Sequence, residues 1–183
     1  MDLTERLVKS DTIYAGKLVR LHVDRVRVPG GPEVIREVVI HPGSVGMVPL
    51  LPSGKVALIR QYRHAVGKTL CEMPAGTLRP DEDPEACARR ELGEEIGQEA
   101  EEMEHLFSIY LTPGYCNEVM HVYLARGLRP AEGRPEPDER IEVVTMPFDE
   151  ALAMIERGEI QHAPTVCGLL AVARREDRAA LGC

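Results

Sequence analysis

At 183 residues, 44% hydrophobic and 28% charged, the chain is sized for one soluble globular domain with a core of its own. Its formal net charge of −8, with no basic block, argues against a nucleic-acid binder working through phosphate contacts, and no apolar run is long enough to span a membrane. The opening M-D-L-T-E-R-L-V-K lacks a signal-peptide core, and the scattered cysteines without C-x-x-C spacing read as free, mostly buried thiols, so a cytoplasmic protein is expected.

In chain order, residues 1–11 are polar and read as a loose lead-in. From Ile13 to Val28 apolar and polar residues alternate, as in V-D-R-V-R-V, the pattern of a half-buried strand. Pro29-Gly30-Gly31-Pro32 then turns the chain, and V-I-R-E-V-V-I returns beside it. After His41-Pro42-Gly43, the runs Ser44 to Leu51 and Lys55 to Tyr62 read as a second hairpin about Pro52-Ser53-Gly54. Its end, I-R-Q-Y-R-H, carries Arg60 and Arg63, whose guanidinium groups can hold phosphate through paired hydrogen bonds. Leu70 to Ala75 is a short strand. There Pro74 and Gly76 force an irregular backbone, which lets the Ala75 carbonyl point away from the ladder as a ligand.

A helix follows with a defined start and stop. Asp83 suits the N-cap, Pro84 the first helical position and Glu85 the positive N-terminal end, while Gly97 suits the left-handed residue that closes it. Ala88, Leu92 and Ile96 form an apolar stripe, and on another face Glu91, Glu94 and Glu95 are neighbours. These carboxylates repel one another. Arg90, four residues before Glu94, offsets part of that charge within the helix, and a hard divalent cation such as Mg²⁺ would remove the rest.

Beyond the helix, Glu99 to Glu104 reads as a solvated acidic connector. His105 to Leu111 and Val119 to Ala125 are strands on either side of the loop T-P-G-Y-C-N-E, with Met120 and His121 as packing residues. Residues 129–140 are proline-rich and poor in apolar side chains, the composition of a mobile surface loop that could serve as a lid. Ile141 to Met146 is a last strand. Phe148 to Arg157 is an amphipathic helix with Ala151, Leu152 and Ile155 inward, and Ala163 to Arg175 is a final helix with Val166, Leu169, Leu170 and Val172 in the core.

The stretch Gly76 to Gln98 resembles the Nudix box, G-x5-E-x7-R-E-U-x-E-E-x-G-U, through Gly76, Glu82, Arg90, Glu91, Leu92, Glu94, Glu95 and Gly97; Gln98 departs from the apolar residue of the pattern. Outside the box, R-E-V-V-I-H-P-G-S-V, R-Q-Y-R, E-M-P-A-G, Y-L-T-P-G-Y-C-N-E with Pro113, and I-E-V-V-T-M-P-F-D-E-A resemble the ADP-ribose pyrophosphatase group. The resemblance implies a mixed-sheet α/β fold, a Nudix-type α/β/α sandwich over residues 43–183. It also implies an N-terminal antiparallel hairpin domain, residues 1–42, exchanged in a homodimer. The implied activity is metal-dependent hydrolysis of ADP-ribose, or a related nucleoside diphosphate sugar, with two or more Mg²⁺ or Mn²⁺ ions per site. Hydrolysis of another nucleoside diphosphate derivative, such as a GDP-sugar, and a non-catalytic nucleotide sensor stand as alternatives.

Carried over by position, the resemblance gives the Ala75 carbonyl, Glu91 and Glu95 as metal ligands, with Glu94 a further ligand or water activator. Arg90 orients the glutamates. Arg36, Glu37, Arg63 and Glu118 contact substrate, and Tyr14 and Leu18 build the adenine-side wall. The general base is Glu94 or Glu139. The reading favours Glu139, because closure of its loop would bring it to the water only with substrate bound.

Overall fold

The structure is a computed structural model that describes residues 1–132 and 140–180, with side chains to Arg175. The Glu139 assignment and residues 133–139 of the loop expected over 129–140 lie outside these described residues, as does Cys183, whereas Arg129 and Pro130 of that expected loop end a strand that begins at Val119. The chain forms two compact units. The first comprises Met1–Gly43 and Ile109–Met120, the second Ser44–Ser108 and His121–Cys183.

In the first unit, β1 (Arg6–Ala15), β2 (Arg20–Arg27) and β3 (Glu33–Ile40) form an antiparallel sheet in the order β1-β2-β3. The lead-in expected at residues 1–11 is therefore a strand from Arg6 onward. The single strand expected over Ile13 to Val28 is broken by a turn, with the Gly16 amide donating to the Val19 carbonyl at 2.9 Å. Ladder hydrogen bonds from β2, as at Leu7↔Val26 and Tyr14↔Leu21, order β1 where its own side-chain pattern is weak. The segment 109–120 closes on β3: the Val39 amide donates to the Tyr115 carbonyl at 2.7 Å, and the Asn117 amide donates back to Val39 at 3.2 Å.

In the second unit, β4 (Ser44–Pro49) is buried along its whole length, as a strand covered on both faces must be. It lies inside a sheet of order β7-β4-β9-β8, with β7 (Ala75–Thr77), β8 (Gln98–Tyr110) and β9 (Val119–Pro130). A second sheet has the order β10-β5-β6, from β5 (Lys55–Arg63), β6 (Lys68–Glu72) and β10 (Ile141–Pro147). The expected hairpin of β4 and β5 is thus corrected. The two strands share a tight turn, with the Leu51 amide donating to the Lys55 carbonyl at 2.8 Å and one Leu50↔Val56 bridge, and then part into different sheets. Both are too apolar to leave a face in water, so each pairs within its own layer.

Helix α1 (Pro84–Ile96) packs on β4 and β7, α3 (Ala163–Ala180) packs on β4, and α2 (Phe148–Glu156) packs on β5, β10 and α3. Val45, Met47, Ile59, Ala88, Leu92 and Tyr123 belong to one core cluster. Burying each large side chain is worth on the order of 1.5–3 kcal/mol. In α3, Leu169 and Val172 are fully buried, whereas Leu170, expected in the core, is 51% exposed on the far side of the helix. Residues 99–104 are the first half of β8, not a loose connector. Ala100 faces the core there while Glu99, Glu101, Glu102 and Glu104 face water, which suits a strand at the end of its sheet. Cys71, Cys87, Cys116 and Cys167 are free thiols; Cys87 and Cys116 are buried and Cys167 is exposed. Among the described residues, no helix is long and apolar enough to cross a membrane.

Candidate active site

The site residues of the second unit are assembled by β7, the loop after it and α1. The helix starts as its sequence dictates: the Asp83 carboxylate accepts from the Ala86 amide at 3.0 Å, and Pro84 fills the first turn. It ends at Gly97, with φ of 63°, a conformation costly for any residue bearing a Cβ. The preceding loop turns at Asp81, with φ of 59°, and is tied by the Arg79 amide donating to Glu82 Oε2 at 2.9 Å. Glu82 is thereby aimed at the helix.

Arg90 is the hub of the cluster. Its Nε and Nη2 donate to the two oxygens of Glu82 at 2.9 and 3.0 Å, and its Nη1 donates to Glu91 Oε1 at 2.6 Å and Glu94 Oε2 at 2.8 Å. Nη2 also reaches the Cys87 sulfur at 3.3 Å. A guanidinium has no further donor directions to offer beyond these. The side chains of Arg90, Glu82 and Glu91 are 19%, 15% and 13% exposed, so the ion pairs are shielded from water. The bidentate Arg90 bond holds the Glu82 carboxyl down at about 2, and the glutamates, Glu82 first, raise the Arg90 pKa further. Burial is the main cause that pushes the Cys87 thiol up to about 12, with its contact to Glu82 next, so Cys87 stays a neutral packing group.

Gly76 has a packing reason as well. A Cβ built there would lie 2.0 Å from Glu91 Cδ and 2.2 Å from its Cγ, so the Glu91 side chain rests directly against the loop backbone. Glu95 is 4% exposed and accepts from the Ala75 amide at 2.8 Å. The loop and the helix are thus joined at Gly76–Glu91, Ala75–Glu95 and Glu82–Arg90.

Arg63, at the end of β5, donates from Nε and Nη2 to Glu72 of β6, the shortest contact being 2.6 Å. Glu72 was not singled out from the sequence. A lone carboxylate ending an otherwise apolar strand, L-C-E-M-P, was the available signal. Thr165 of α3 was missed too; it is fully buried, and its hydroxyl accepts from the Met73 amide at 2.8 Å. A groove of about 500 Å³ borders α1, lined among others by Arg90, Glu94, Gln98, Arg129 and Glu132. It touches only the Glu94 side of the cluster, since Glu91 and Glu95 do not line it.

Tyr14, Leu18, Arg36, Glu37 and Glu118 belong to the first unit. Tyr14 and Leu18 are exposed, and Arg36 pairs with Glu5 through Nη2 at 2.5 Å and Nε at 3.2 Å. Glu37 stands opposite Val23 in the sheet. Glu118 Oε1 lies 3.6 Å from His41 Nδ1, but that nitrogen already accepts from the Gly43 amide at 3.1 Å.

The donors suit a hard divalent cation in their chemistry: Glu91, Glu94 and Glu95 supply only oxygen, on adjacent turns of one helix, and Gly76 leaves room for Glu91 at the loop. Among the described residues no three such side chains converge as a ready cage; Arg90 balances the charge of Glu91 and Glu94.

A glycine loop followed by a helix whose carboxylates gather about one arginine, set on a mixed sandwich, defines the class. The chain belongs to the NUDIX domain family, which it matches over residues 40–169. It is 38% identical over 164 residues to the methanol dehydrogenase activator of Bacillus methanolicus, covering 88% of this chain and 89% of that protein. It is 36% identical over 165 residues to the ADP-ribose pyrophosphatase of Bacillus subtilis, covering 89% of each. The crystal structure of an ADP compounds hydrolase superposes with a TM-score of 0.86 over 100% of this chain and 98% of that one; at 22% identity the likeness is one of fold.

Proposed function

We propose that the protein hydrolyses the diphosphate bond of ADP-ribose to AMP and ribose 5-phosphate in a divalent-metal-dependent reaction. Water adds across the P–O–P bridge, one phosphorus gaining the hydroxyl and the other leaving as a phosphate monoester. The carrying observation is the carboxylate cluster pinned by Arg90 and by the Ala75 amide, which keeps several oxygen donors in place against their mutual repulsion. The Bacillus subtilis relative named ADP-ribose pyrophosphatase supports the choice of substrate.

Glu91, Glu95 and the Ala75 carbonyl, with Glu94, would hold Mg²⁺ or Mn²⁺, two or more ions per site. Bound there, the metal neutralises diphosphate charge and lowers the pKa of the attacking water. Arg90 holds the glutamates in position, and Glu139 takes the proton from water. Arg36, Glu37, Arg63 and Glu118 bind the substrate, and Tyr14 and Leu18 flank its adenine. A cytoplasmic homodimer with an exchanged N-terminal hairpin completes the proposal, supported by the exposed apolar side chains Leu7, Ile13, Tyr14 and Ile35 of the first unit.

A panel of ADP-ribose, a GDP-sugar, a dinucleoside polyphosphate and an oxidised nucleotide, with Mg²⁺ and chromatographic identification of products, tests the reading. Fastest turnover of ADP-ribose to AMP and ribose 5-phosphate is expected. Preference for another substrate, or calorimetric binding without turnover, overturns it.

A further inference from the structure

Glu72 is the most deeply buried of the described glutamates, and an ionised carboxylate leaves water at heavy cost unless it is paired and hydrogen-bonded. Its partner, Arg63, donates from Nε to both oxygens at 3.2 and 3.0 Å and from Nη2 to Oε2 at 2.6 Å. The pair is lopsided: the Glu72 side chain is 1% exposed, whereas that of Arg63 is 38% exposed. One end is sunk in the core and the other reaches the surface.

The anchor is itself immobile. After Glu72, the Met73 amide is held by the Thr165 hydroxyl at 2.8 Å, the Pro74 carbonyl by the Met47 amide at 2.9 Å, and the Ala75 amide by Glu95 at 2.8 Å. The strand bearing Glu72 is therefore fixed residue by residue as far as the carboxylates of α1. An ion pair needed for packing alone could be replaced by apolar side chains at little cost, and a half-exposed arginine gains little from a buried tether. What the tether supplies is orientation. A long side chain that would otherwise lose rotamer freedom on meeting an anion has already lost it.

We propose that Glu72 is a positioning residue, holding the Arg63 guanidinium edge-on so that its exposed part meets a phosphate of the nucleoside diphosphate substrate. This rests on the reading of Arg63 as a substrate contact given above. Glu72 touches no substrate; it acts through Arg63.

The test compares wild type, Glu72→Gln, Glu72→Asp, Arg63→Ala and the Glu72→Gln/Arg63→Ala double variant. The readouts are calorimetric affinity for ADP, KM and kcat for ADP-ribose with Mg²⁺, and thermal midpoint. Glu72→Gln is expected to weaken ADP binding and raise KM about 10-fold with kcat little changed, and the double variant to be no worse than Arg63→Ala. Glu72→Asp, which keeps the buried charge but retracts it, should fall between. A lowered thermal midpoint with ADP affinity and KM intact, or losses that add fully in the double variant, overturns the proposal. If Glu72→Gln does not fold, Glu72→Asp decides by the same readouts, and unchanged ADP affinity and KM then count against the proposal. Wild-type protein that binds ADP but leaves ADP-ribose intact overturns the hydrolytic reading, while the ADP series still judges Glu72.

Discussion

The loop and helix around Arg90 and the three-stranded sheet of the first unit handle their awkward groups in opposite ways. Around Arg90, charges are brought out of water and then matched bond for bond. In the first unit, pairs such as Lys9–Asp11 at 2.7 Å stay in water with both side chains more than half exposed, and such pairs add little stability. There it is the apolar groups that lack cover: all of β1 is exposed. One region is matched within its own unit, and the other leaves apolar side chains such as Leu7, Ile13 and Ile35 exposed on its surface. Damage to the first should abolish chemistry without touching assembly, whereas damage to the second should weaken assembly and, with it, substrate binding.

The largest effect tests that division directly. Glu95→Gln should lower kcat by about 10³-fold, or about 4 kcal/mol of transition-state stabilisation, while sedimentation and far-UV circular dichroism stay those of wild type. Loss of the dimer in this variant would break the division, and full activity in excess chelator would remove the metal from the account.

Next in size is the general base. Glu139→Gln should lower kcat by at least ~10²-fold with metal affinity little changed. Near-normal kcat in this variant, with the loss found in Glu94→Gln instead, would move the base into the Arg90 cluster.

In the first unit, Ile13→Asp should shift the protein toward monomer in sedimentation equilibrium and raise KM about 10-fold, leaving the thermal unfolding of the second unit in place. Mixing Glu95→Gln with Arg36→Ala protein should restore some activity if subunits exchange, because mixed dimers would contain one intact site. An active wild-type monomer would contradict the exchange.

The smallest effect is on acid stability. Glu82 titrates near 2 in the folded chain against 4.5 when unperturbed. A depressed carboxylate adds stability that is fully present above about pH 4.5 and is lost as the pH falls toward 2. Glu82→Gln should flatten the acid side of the stability profile in that window and leave its slope above pH 5 unchanged. An unchanged profile between pH 4.5 and 2 would show that the Arg90 pairing does not set acid stability.

Helix α1 was fully legible because local rules decide it: Asp83, Pro84 and Gly97 mark its ends, and Ala88, Leu92 and Ile96 mark its inner face. The spacing of Gly76, Glu82 and Arg90 likewise brings together what the loop closes on. Pairing between distant strands was not legible. Lys55 to Tyr62 looks the same in sequence whether it pairs with β4 or with β6 and β10, since register is fixed by partners that alternation does not name. Leu170 fits the apolar pattern of α3 and still faces water, because that stripe is wider than the surface it packs on. Arg63 was legible as an anion donor, whereas its tether was not. The lone carboxylate of L-C-E-M-P marks Glu72 as unusual without naming Arg63 as its partner.

The bond from the Ala75 amide to Glu95 has a use of its own. Most amides in a strand are protected from hydrogen exchange by the ladder and report the opening of the sheet. The Ala75 amide is protected by a side chain, so its exchange rate and proton chemical shift follow the whereabouts of one carboxylate. Any cation that draws Glu95 away would unmask this single proton while the amides of β4 stay silent. A nuclear magnetic resonance spectrum of the backbone therefore contains a gauge of occupancy at the carboxylate cluster, readable without substrate or turnover.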